Sequence, residues 1–145
     1  MTTPYTIATD GACYIHTPAT KGTGGWGVII SGPDGQHTYS GSCLETTSMA
    51  MELRAILEGL RLAPSALRCR ILTDYQPILT WVQQSAPPHS ASASSTITDI
   101  IALLAVRHAT LAIAHHHPLL RTAHQLARAA ARAIARQPHS APSAA

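Results

Sequence analysis

The sequence predicts an α/β domain (a mixed α+β arrangement) in which a five-stranded mixed sheet is flanked by helices. Three strand-like runs open the chain, and helix, strand, helices, strand and helix follow. This order is typical of a sheet with helices packed on its faces. With 145 residues, 46% of them hydrophobic, the chain can bury one core. We expect a single domain over residues 1–136 and a disordered tail over residues 137–145.

The opening third predicts an antiparallel meander. Tyr5–Thr9 is a short apolar run, and the glycine-rich segment 21–25 predicts a turn. Trp26–Ser31 is the second strand-like run, and Gln36–Cys43 alternates as a half-buried strand does. The sequence Pro-Asp-Gly at 33–35 between them predicts a hairpin.

Helical periodicity begins after the capping residues 45–48, and Pro64 ends that first helix. Arg70–Thr73 predicts the fourth strand and Gln76–Gln84 a short helix. Ser85–Ser95 is rich in Ser, Ala and Pro and predicts a loop. The chain then predicts, in order, a helix, a strand and a strong Ala- and Arg-rich helix: Ile97–Arg107, Thr110–Ala114 and Thr122–Arg136.

Charge and cysteine content narrow the possible environment. The 10 basic residues against 7 acidic ones give a net charge of +3, which favours a polyanionic partner only weakly, since an arginine-rich composition also follows from a GC-rich genome. Cys13, Cys43 and Cys69 are odd in number and widely spaced, which fits a reducing compartment and disfavours a zinc site. Neither a signal peptide nor a membrane-spanning run is evident. We therefore expect a cytoplasmic protein that does not bind membranes, and we expect it to be a monomer.

Three carboxylates stand where a core would not require them. Asp10 and Asp74 each follow a predicted strand, and Glu52 lies one turn into the first helix. A single Asp at a strand end is usually a turn residue, and a single helical Glu is usually exposed. If the strands are neighbours, the three converge, and converging carboxylates need a cation. Oxygen ligands select Mg²⁺ or Mn²⁺, and two such ions support phosphodiester hydrolysis.

The local sequences around these residues resemble type 1 ribonuclease H. The similar segments follow in the family's order along nearly the whole chain: TDGAC (9–13), GGWGVI (24–29), YSG (39–41), TT (46–47), MELRA (51–55), TDYQ (73–76) and LARAAA (126–131). The resemblance implies a ribonuclease H-like fold and two-metal hydrolysis of the RNA strand of RNA–DNA hybrids, leaving 5′-phosphate and 3′-hydroxyl ends. The family's first three catalytic, metal-binding carboxylates correspond to Asp10, Glu52 and Asp74.

The sequence departs from the family pattern at the fourth metal ligand, where His124 replaces an Asp. A neutral imidazole can still bind the ion, so we interpret His124 as a variant catalytic ligand, with a helix-surface histidine as the alternative. Since imidazole is the softer ligand, Mn²⁺ should then support activity better relative to Mg²⁺ than in an all-carboxylate site. Activity should also fall as His124 becomes protonated, near pH ~6.5 if its pKa is ordinary.

A histidine run precedes the last helix, where the family has a flexible loop with a histidine that assists water handling or product release. His117 corresponds to one histidine of that loop, and Ala114 replaces the usual functional one. His115 or His116 are the possible substitutes. A chance metal-binding run or a solvated loop explains the pattern equally well.

The resemblance also implies how an RNA–DNA hybrid is held. Gly11, Ala12 and Cys13 correspond to the segment along the RNA strand, Thr47 to a contact with a DNA phosphate, and Gln76 to a minor-groove contact. Ser48 and Met49 replace two base-contacting amides, and Ser48 fits a helix cap equally well. The basic, Trp-bearing protrusion of many relatives is absent, since residues 85–95 contain no Lys, Arg or Trp. Affinity should then depend on arginines elsewhere or on a partner domain.

Three functional hypotheses remain open at this point. The first is an active ribonuclease H. The second is a hybrid- or duplex-binding module that has lost turnover through His124 and the altered loop. The third is a nuclease of the same fold that acts on another nucleic acid.

Overall fold

The computed structural model describes residues 5–14, 22–64, 68–84 and 91–136. It contains five strands, β1 (Tyr5–Tyr14), β2 (Gly22–Gly32), β3 (Gly35–Thr46), β4 (Cys69–Thr73) and β5 (Ala109–Ile113). It also contains four helices, α1 (Ser48–Leu62), α2 (Pro77–Gln84), α3 (Ala91–Val106) and α4 (Pro118–Arg136).

The strands form one mixed sheet in the order β3-β2-β1-β4-β5. The first three strands pair antiparallel, whereas β1 with β4 and β4 with β5 pair parallel. The predicted five-stranded mixed sheet with flanking helices is therefore confirmed. Since β1 is the central strand, helices on both faces of the sheet can place side chains beside it.

Four strands are longer than predicted, since β3 extends from Gly35 to Thr46 and β4 begins at Cys69. β1 continues through Asp10 to Tyr14, and β2 begins at Gly22, so the turn predicted over 21–25 is wrong for residues 22–25. At Gly25 glycine is required because α4 approaches closely: a Cβ there would lie 2.3 Å from the backbone oxygen of Ala127. Such close packing between backbones requires glycine in the strand.

The helices α3 and α4 begin earlier than predicted. α3 begins at Ala91, so the loop predicted over 85–95 is wrong for residues 91–95, while 85–90 and the predicted tail 137–145 lie outside the described residues. Ala93 and Ile97 are buried in the core, and this burial outweighs the weak helix propensity of the serines around them. α4 begins at Pro118, a residue whose ring suits the first helical position.

The core has one layer on each face of the sheet. The layer under α1 and α3 is built from large aliphatic side chains, among them Ile7, Leu53, Ile56, Ile71 and Ile100. The layer under α4 is thinner and centres on Ala8, Ile29, Leu72, Leu120 and Ala123. Among the described residues no helix has the length and apolar character needed to cross a membrane. All three cysteines are free thiols.

Candidate metal centre and nucleic-acid interface

Asp10 lies within the central strand rather than at its end. It pairs with Gly27 of β2, and its side chain is almost fully buried. The preceding Thr9 donates a hydrogen bond from Oγ1 to the backbone oxygen of Leu72, 3.2 Å away, which ties β1 to β4 beside the carboxylate. Asp10 is therefore held on the central strand, which pairs with a neighbour on each side.

Glu52 reaches Asp10 because α1 lies directly against β1. Thr47 caps the helix by accepting a hydrogen bond from the Ala50 backbone N–H at 3.2 Å. A Cβ at Gly11 would lie 2.4 Å from the backbone nitrogen of Glu52, so only glycine permits this approach. The first turn of α1 thus places the Glu52 carboxylate beside the central strand.

Asp74 follows the last residue of β4 and is exposed. The hydroxyl of Thr73 accepts a hydrogen bond from the Tyr75 backbone N–H at 3.0 Å, which shapes the turn. The Thr73 backbone oxygen accepts another from Ala114 at 2.9 Å, which continues the pairing of β4 with β5. These two bonds define where the Asp74 carboxylate enters the site.

The three carboxylates converge. One oxygen from each of Asp10, Glu52 and Asp74 lies within 4.8 Å of the others, and this is the group of three metal-ligating side chains that the described residues bring together. Burial, followed by the charges of Asp10 and Asp74, raises the pKa of Glu52 to about 9. Burial also raises the pKa of Asp10 against the opposing hydrogen bond from His124. These shifts express the cost of burying carboxylates and, secondarily, of gathering them without a cation.

The chemistry of this site fits a divalent cation. All the donors are carboxylate oxygens, which Mg²⁺ and Mn²⁺ prefer. The Oε2 atom of Glu52 is buried and has no hydrogen-bond partner among the described residues. A bound cation would satisfy that oxygen and remove the repulsion in the cluster.

His124 contacts the cluster from the other face of the sheet. Its Nδ1 atom lies 2.5 Å from Oδ2 of Asp10, while about half of its side chain (51%) is exposed. The imidazole is thus a hydrogen-bond partner of Asp10 and does not belong to the group of three converging oxygens. Its place on α4, beside Asp10, is compatible both with a metal ligand and with a group that orients a ligand.

The histidine run lines a depression of about 350 Å³ next to the carboxylates, bordered by Asp74, Ala114, His115, His116, His117, Leu120, Arg121 and His124. His117 caps α4, since its Nδ1 atom accepts a hydrogen bond from the Leu119 backbone N–H at 3.2 Å. His116 adopts a positive φ of 62°, which ends the run in a tight turn. All three histidines are near the cluster, and His117 has a clear structural role.

The predicted RNA-strand segment follows Asp10 on β1. By strand alternation Ala12 shares the α4 face with Asp10, whereas Gly11 and Cys13 face α1. The Cys13 thiol donates a hydrogen bond to the Thr46 backbone oxygen at 3.4 Å, and burial raises its pKa. The segment is therefore continuous with the carboxylate cluster, although its side chains divide between the two faces.

The other predicted substrate contacts flank the cluster on the α1 side. Thr47 and Ser48 are exposed at the start of α1, and Gln76 is exposed two residues after Asp74. Thr47 is the residue that caps the helix, so the cap suggested for Ser48 belongs to its neighbour. Ser48 is consequently left as the first residue of the helix, with its side chain exposed.

Sequence reasoning missed the residues that hold α4 close to the sheet. A Cβ at Gly27 would lie 2.3 Å from the Ala123 backbone oxygen, and Ala123 and Ala127 are fully buried. Two patterns in the sequence were the available signal: glycine at positions 25 and 27 of β2, and alanine at every fourth residue of α4. This packing allows His124 to reach Asp10.

Comparison with known proteins connects this arrangement to one family. The RNase H family profile matches residues 2–130. Among curated proteins, the chain is 39% identical over 85 residues to a ribonuclease H of Orientia tsutsugamushi (strain Boryong), a match that covers 56% of this chain and 48% of that one. It is 39% identical over 71 residues to a ribonuclease H of Bordetella pertussis (strain Tohama I), covering 49% and 43%. The chain spans about half the length of the curated relatives it matches.

Solved structures show the same fold at lower sequence identity. RNase H1 from the halophilic archaeon Halobacterium salinarum NRC-1 superposes with a TM-score of 0.72 at 14% identity, covering 88% of this chain and 97% of that one. LC11-RNase H1, solved in complex with an RNA/DNA hybrid, gives a TM-score of 0.71 at 18% identity, covering 90% and 99%. Since the family profile matches most of the sequence and the fold agrees, this chain belongs to the RNase H family.

Proposed function

We propose that this protein is an endonuclease that hydrolyses the RNA strand of RNA–DNA hybrids with the help of divalent cations. The observation that carries the proposal is the convergence of Asp10, Glu52 and Asp74 within 4.8 Å in a member of the RNase H family. A cluster with this much negative charge, one carboxylate of which is exposed, is suited to hold cations against a phosphodiester.

The three carboxylates would hold two Mg²⁺ or Mn²⁺ ions. When bound, such ions lower the pKa of a water molecule and stabilise the leaving oxygen of a phosphodiester, which would give 5′-phosphate and 3′-hydroxyl ends. Asp10 is central because it is buried and contacts both Glu52 and His124. Exposed Asp74 would be the carboxylate nearest to solvent and substrate.

His124 is proposed as a fourth ligand and His117 as the loop histidine that assists the reaction. In support, the Nδ1 atom of His124 lies beside an oxygen of Asp10, and His117 borders the same depression as Asp74 and His124. A neutral imidazole is required in both roles, since a protonated one can neither ligate nor accept a proton.

The hybrid would be held around this cluster. Gly11, Ala12 and Cys13 are proposed to follow the RNA strand, and the exposed Thr47, Ser48 and Gln76 are proposed to make further contacts with the hybrid. The solved relative LC11-RNase H1 binds an RNA/DNA hybrid with the same fold. The three free thiols fit a reducing cytoplasm, where we expect the protein to act as a monomer.

The test is cleavage of an end-labelled RNA–DNA hybrid in Mg²⁺ and in Mn²⁺, with RNA–RNA and DNA–DNA duplexes of the same sequence in parallel. We expect cleavage of the hybrid's RNA strand alone, dependence on the cation, and loss of cleavage in Asp10→Asn. Asp99→Asn on the exposed side of α3 is the matched control and should cleave like the parent. Cleavage by Asp10→Asn at the parental rate would refute the site.

The second candidate is a hybrid-binding module without turnover. The observation that favours it is His124, which in this structure occupies an oxygen of Asp10 that a cation would need. His124→Asp separates the two candidates, because it supplies the carboxylate found at this position in the family. Parental cleavage that shifts from Mn²⁺ toward Mg²⁺ preference in His124→Asp supports the nuclease. An inactive parent that gains cleavage through this substitution supports the module.

A further inference from the structure

A pair of arginines on α4 shares one tyrosine of β1. The Nε atoms of Arg128 and Arg132 donate hydrogen bonds to the Tyr14 hydroxyl at 3.2 and 3.0 Å. Both arginines are exposed, and Tyr14 is half-buried at the end of the strand. The tyrosine therefore holds two guanidinium groups side by side on the surface. We call Arg128 and Arg132 the arginine pair.

No carboxylate neutralises the arginine pair within the part of the chain that the structure describes. All seven acidic residues lie there, and their ion pairs involve other partners: Glu58 binds Arg54 and Arg61, while Asp34 and Asp10 contact His37 and His124. Two like charges held together are unfavourable unless an anion joins them. Each guanidinium uses only Nε for Tyr14, and its terminal N–H donors match the geometry of a phosphate.

The arginine pair continues the line of the carboxylate cluster. Asp10 and Tyr14 lie four residues apart on the same face of β1, a separation of about 13 Å. On α4, His124, Arg128 and Arg132 succeed one another at single-turn intervals of about 6 Å each. One face of the helix thus carries first the residue that contacts Asp10 and then two positive charges, all exposed.

We propose that Arg128 and Arg132, oriented by Tyr14, bind backbone phosphates of the nucleic acid whose strand is cut at the carboxylate cluster. At about 3.4 Å per nucleotide of each strand, the spacing places these phosphates about two to four nucleotides from the cleaved bond. The inference rests on the proposed function, because it takes a strand in the site as given.

A polymeric phosphate fits this surface better than a small anion does. The arginines are exposed on an open helix face, where a single small anion would be weakly held, whereas a strand already bound at the cluster brings its phosphates there at no further cost of association. Residues 85–95 contain neither Lys nor Arg and therefore no permanently charged cation. The arginine pair would instead supply the cationic contact with the phosphates, from the α4 face of the sheet.

The test is the salt dependence of hybrid binding, measured by fluorescence anisotropy in Mg²⁺ with every variant in the Asp10→Asn background so that the hybrid remains intact. In Arg128→Gln/Arg132→Gln we expect the dissociation constant to rise about 5- to 30-fold. The slope of log affinity against log salt should fall by about one for each phosphate that the variant no longer neutralises.

The matched control is Arg68→Gln/Arg70→Gln, which removes the same charge from exposed positions where β4 begins. Tyr14→Phe keeps both positive charges but removes the hydroxyl that orients the two guanidinium groups. It should therefore weaken binding less than the double arginine variant does. Equal salt slopes for the arginine variant and the control would overturn the proposal, because the effect would then be net charge alone. Binding is measured without cleavage, so failure here is distinct from failure of the nuclease assay.

A length series locates the phosphates that the arginines bind. Hybrids shortened stepwise on either side of the cleavage position should become insensitive to Arg128→Gln/Arg132→Gln once fewer than about two to four nucleotides remain on one side. If Arg128→Gln/Arg132→Gln still weakened binding of the shortest hybrids, the assigned position of the phosphates would be contradicted. Circular dichroism shows whether the variants fold. If the Gln variant does not fold, Arg128→Lys/Arg132→Lys replaces it, because lysine keeps the positive charge but lacks the paired N–H donors of the guanidinium group.

Discussion

The two helices that bracket the central strand pack against it in different ways. α1 buries large side chains, including Leu53, Ile56 and Leu60, against the isoleucines of β1 and β4. α4 buries alanines directly over the glycines of β2, with backbone nearly touching backbone. Both helices send one polar side chain to Asp10: α1 supplies Glu52, and α4 supplies His124.

This difference separates the residues that stabilise the fold from those that set the distance between a helix and the sheet. Large aliphatic side chains remove much apolar surface from water, so the α1 side should contribute most of the free energy of unfolding. Alanine and glycine bury little surface but set the distance between helix and sheet. We therefore expect substitutions on the α1 side to act on folding and those on the α4 side to act on the geometry at Asp10.

The largest expected effect on stability is that of Leu53→Ala under α1. Removing this fully buried side chain should lower the free energy of unfolding by about 2–5 kcal/mol, since a cavity remains where the chain cannot collapse. Urea unfolding followed by circular dichroism measures it. Ala133→Gly on the exposed side of α4 is the control for that helix and should cost about 1 kcal/mol. A smaller loss for Leu53→Ala than for the control would refute the contrast.

The two polar contacts to Asp10 should differ in their effect on cleavage. Glu52→Gln removes a converging carboxylate and should reduce kcat at least about 100-fold, because divalent cations contribute several kcal/mol to the transition state. His124→Ala leaves the three oxygens in place and should cost about 10- to 100-fold, the range for residues that orient ligands. Steady-state cleavage of a hybrid in Mn²⁺ measures both. A greater loss in His124→Ala than in Glu52→Gln would reverse the proposed ranking.

Gly27→Ala tests the close approach of α4. The added Cβ would lie 2.3 Å from the Ala123 backbone oxygen, so the helix must shift, at a cost of about 1–3 kcal/mol. Because that shift moves His124 from Asp10, hybrid cleavage should fall more than in a variant of the α1 side with equal stability. Ile56→Val, which costs about 0.5–1.5 kcal/mol, is the nearest comparison. Equal activity in the two variants at matched stability would contradict the division of roles.

Per pH unit, the smallest effect expected is a pH dependence of stability in the metal-free protein. Burial and the neighbouring carboxylates raise the pKa of Glu52 from 4.5 to about 9. Between these values the folded state keeps a proton that the unfolded state releases, so the free energy of unfolding decreases as pH rises, by at most about 1.4 kcal/mol per pH unit. Below pH 4.5 this decrease is absent. Saturating Mg²⁺ should flatten the slope, as should Glu52→Gln, and an unchanged slope in Glu52→Gln would assign it to another group.

The element types and the membership of the cluster were predictable from the sequence. Short β-branched runs and 3.6-residue periodicity are local signals, and they correctly predicted five strands and their helices. Asp10 lies on β1 and Asp74 directly follows the neighbouring parallel strand β4, which is why their convergence with Glu52 followed from topology. The roles of these residues in catalysis stay predictions until cleavage is measured.

Tertiary contacts decided the remainder, since they depend on residues far apart in the chain. Residues 22–25 are strand because they pair with β1 and β3 and because Gly25 lets α4 pack closely, and residues 91–95 are helix because Ala93 is buried. The hydrogen bond between His124 and Asp10 and the sharing of Tyr14 by two arginines span more than 110 residues. Local patterns determine which segments are helix or strand, but backbone distances between packed elements arise only when the whole sheet and α4 come together.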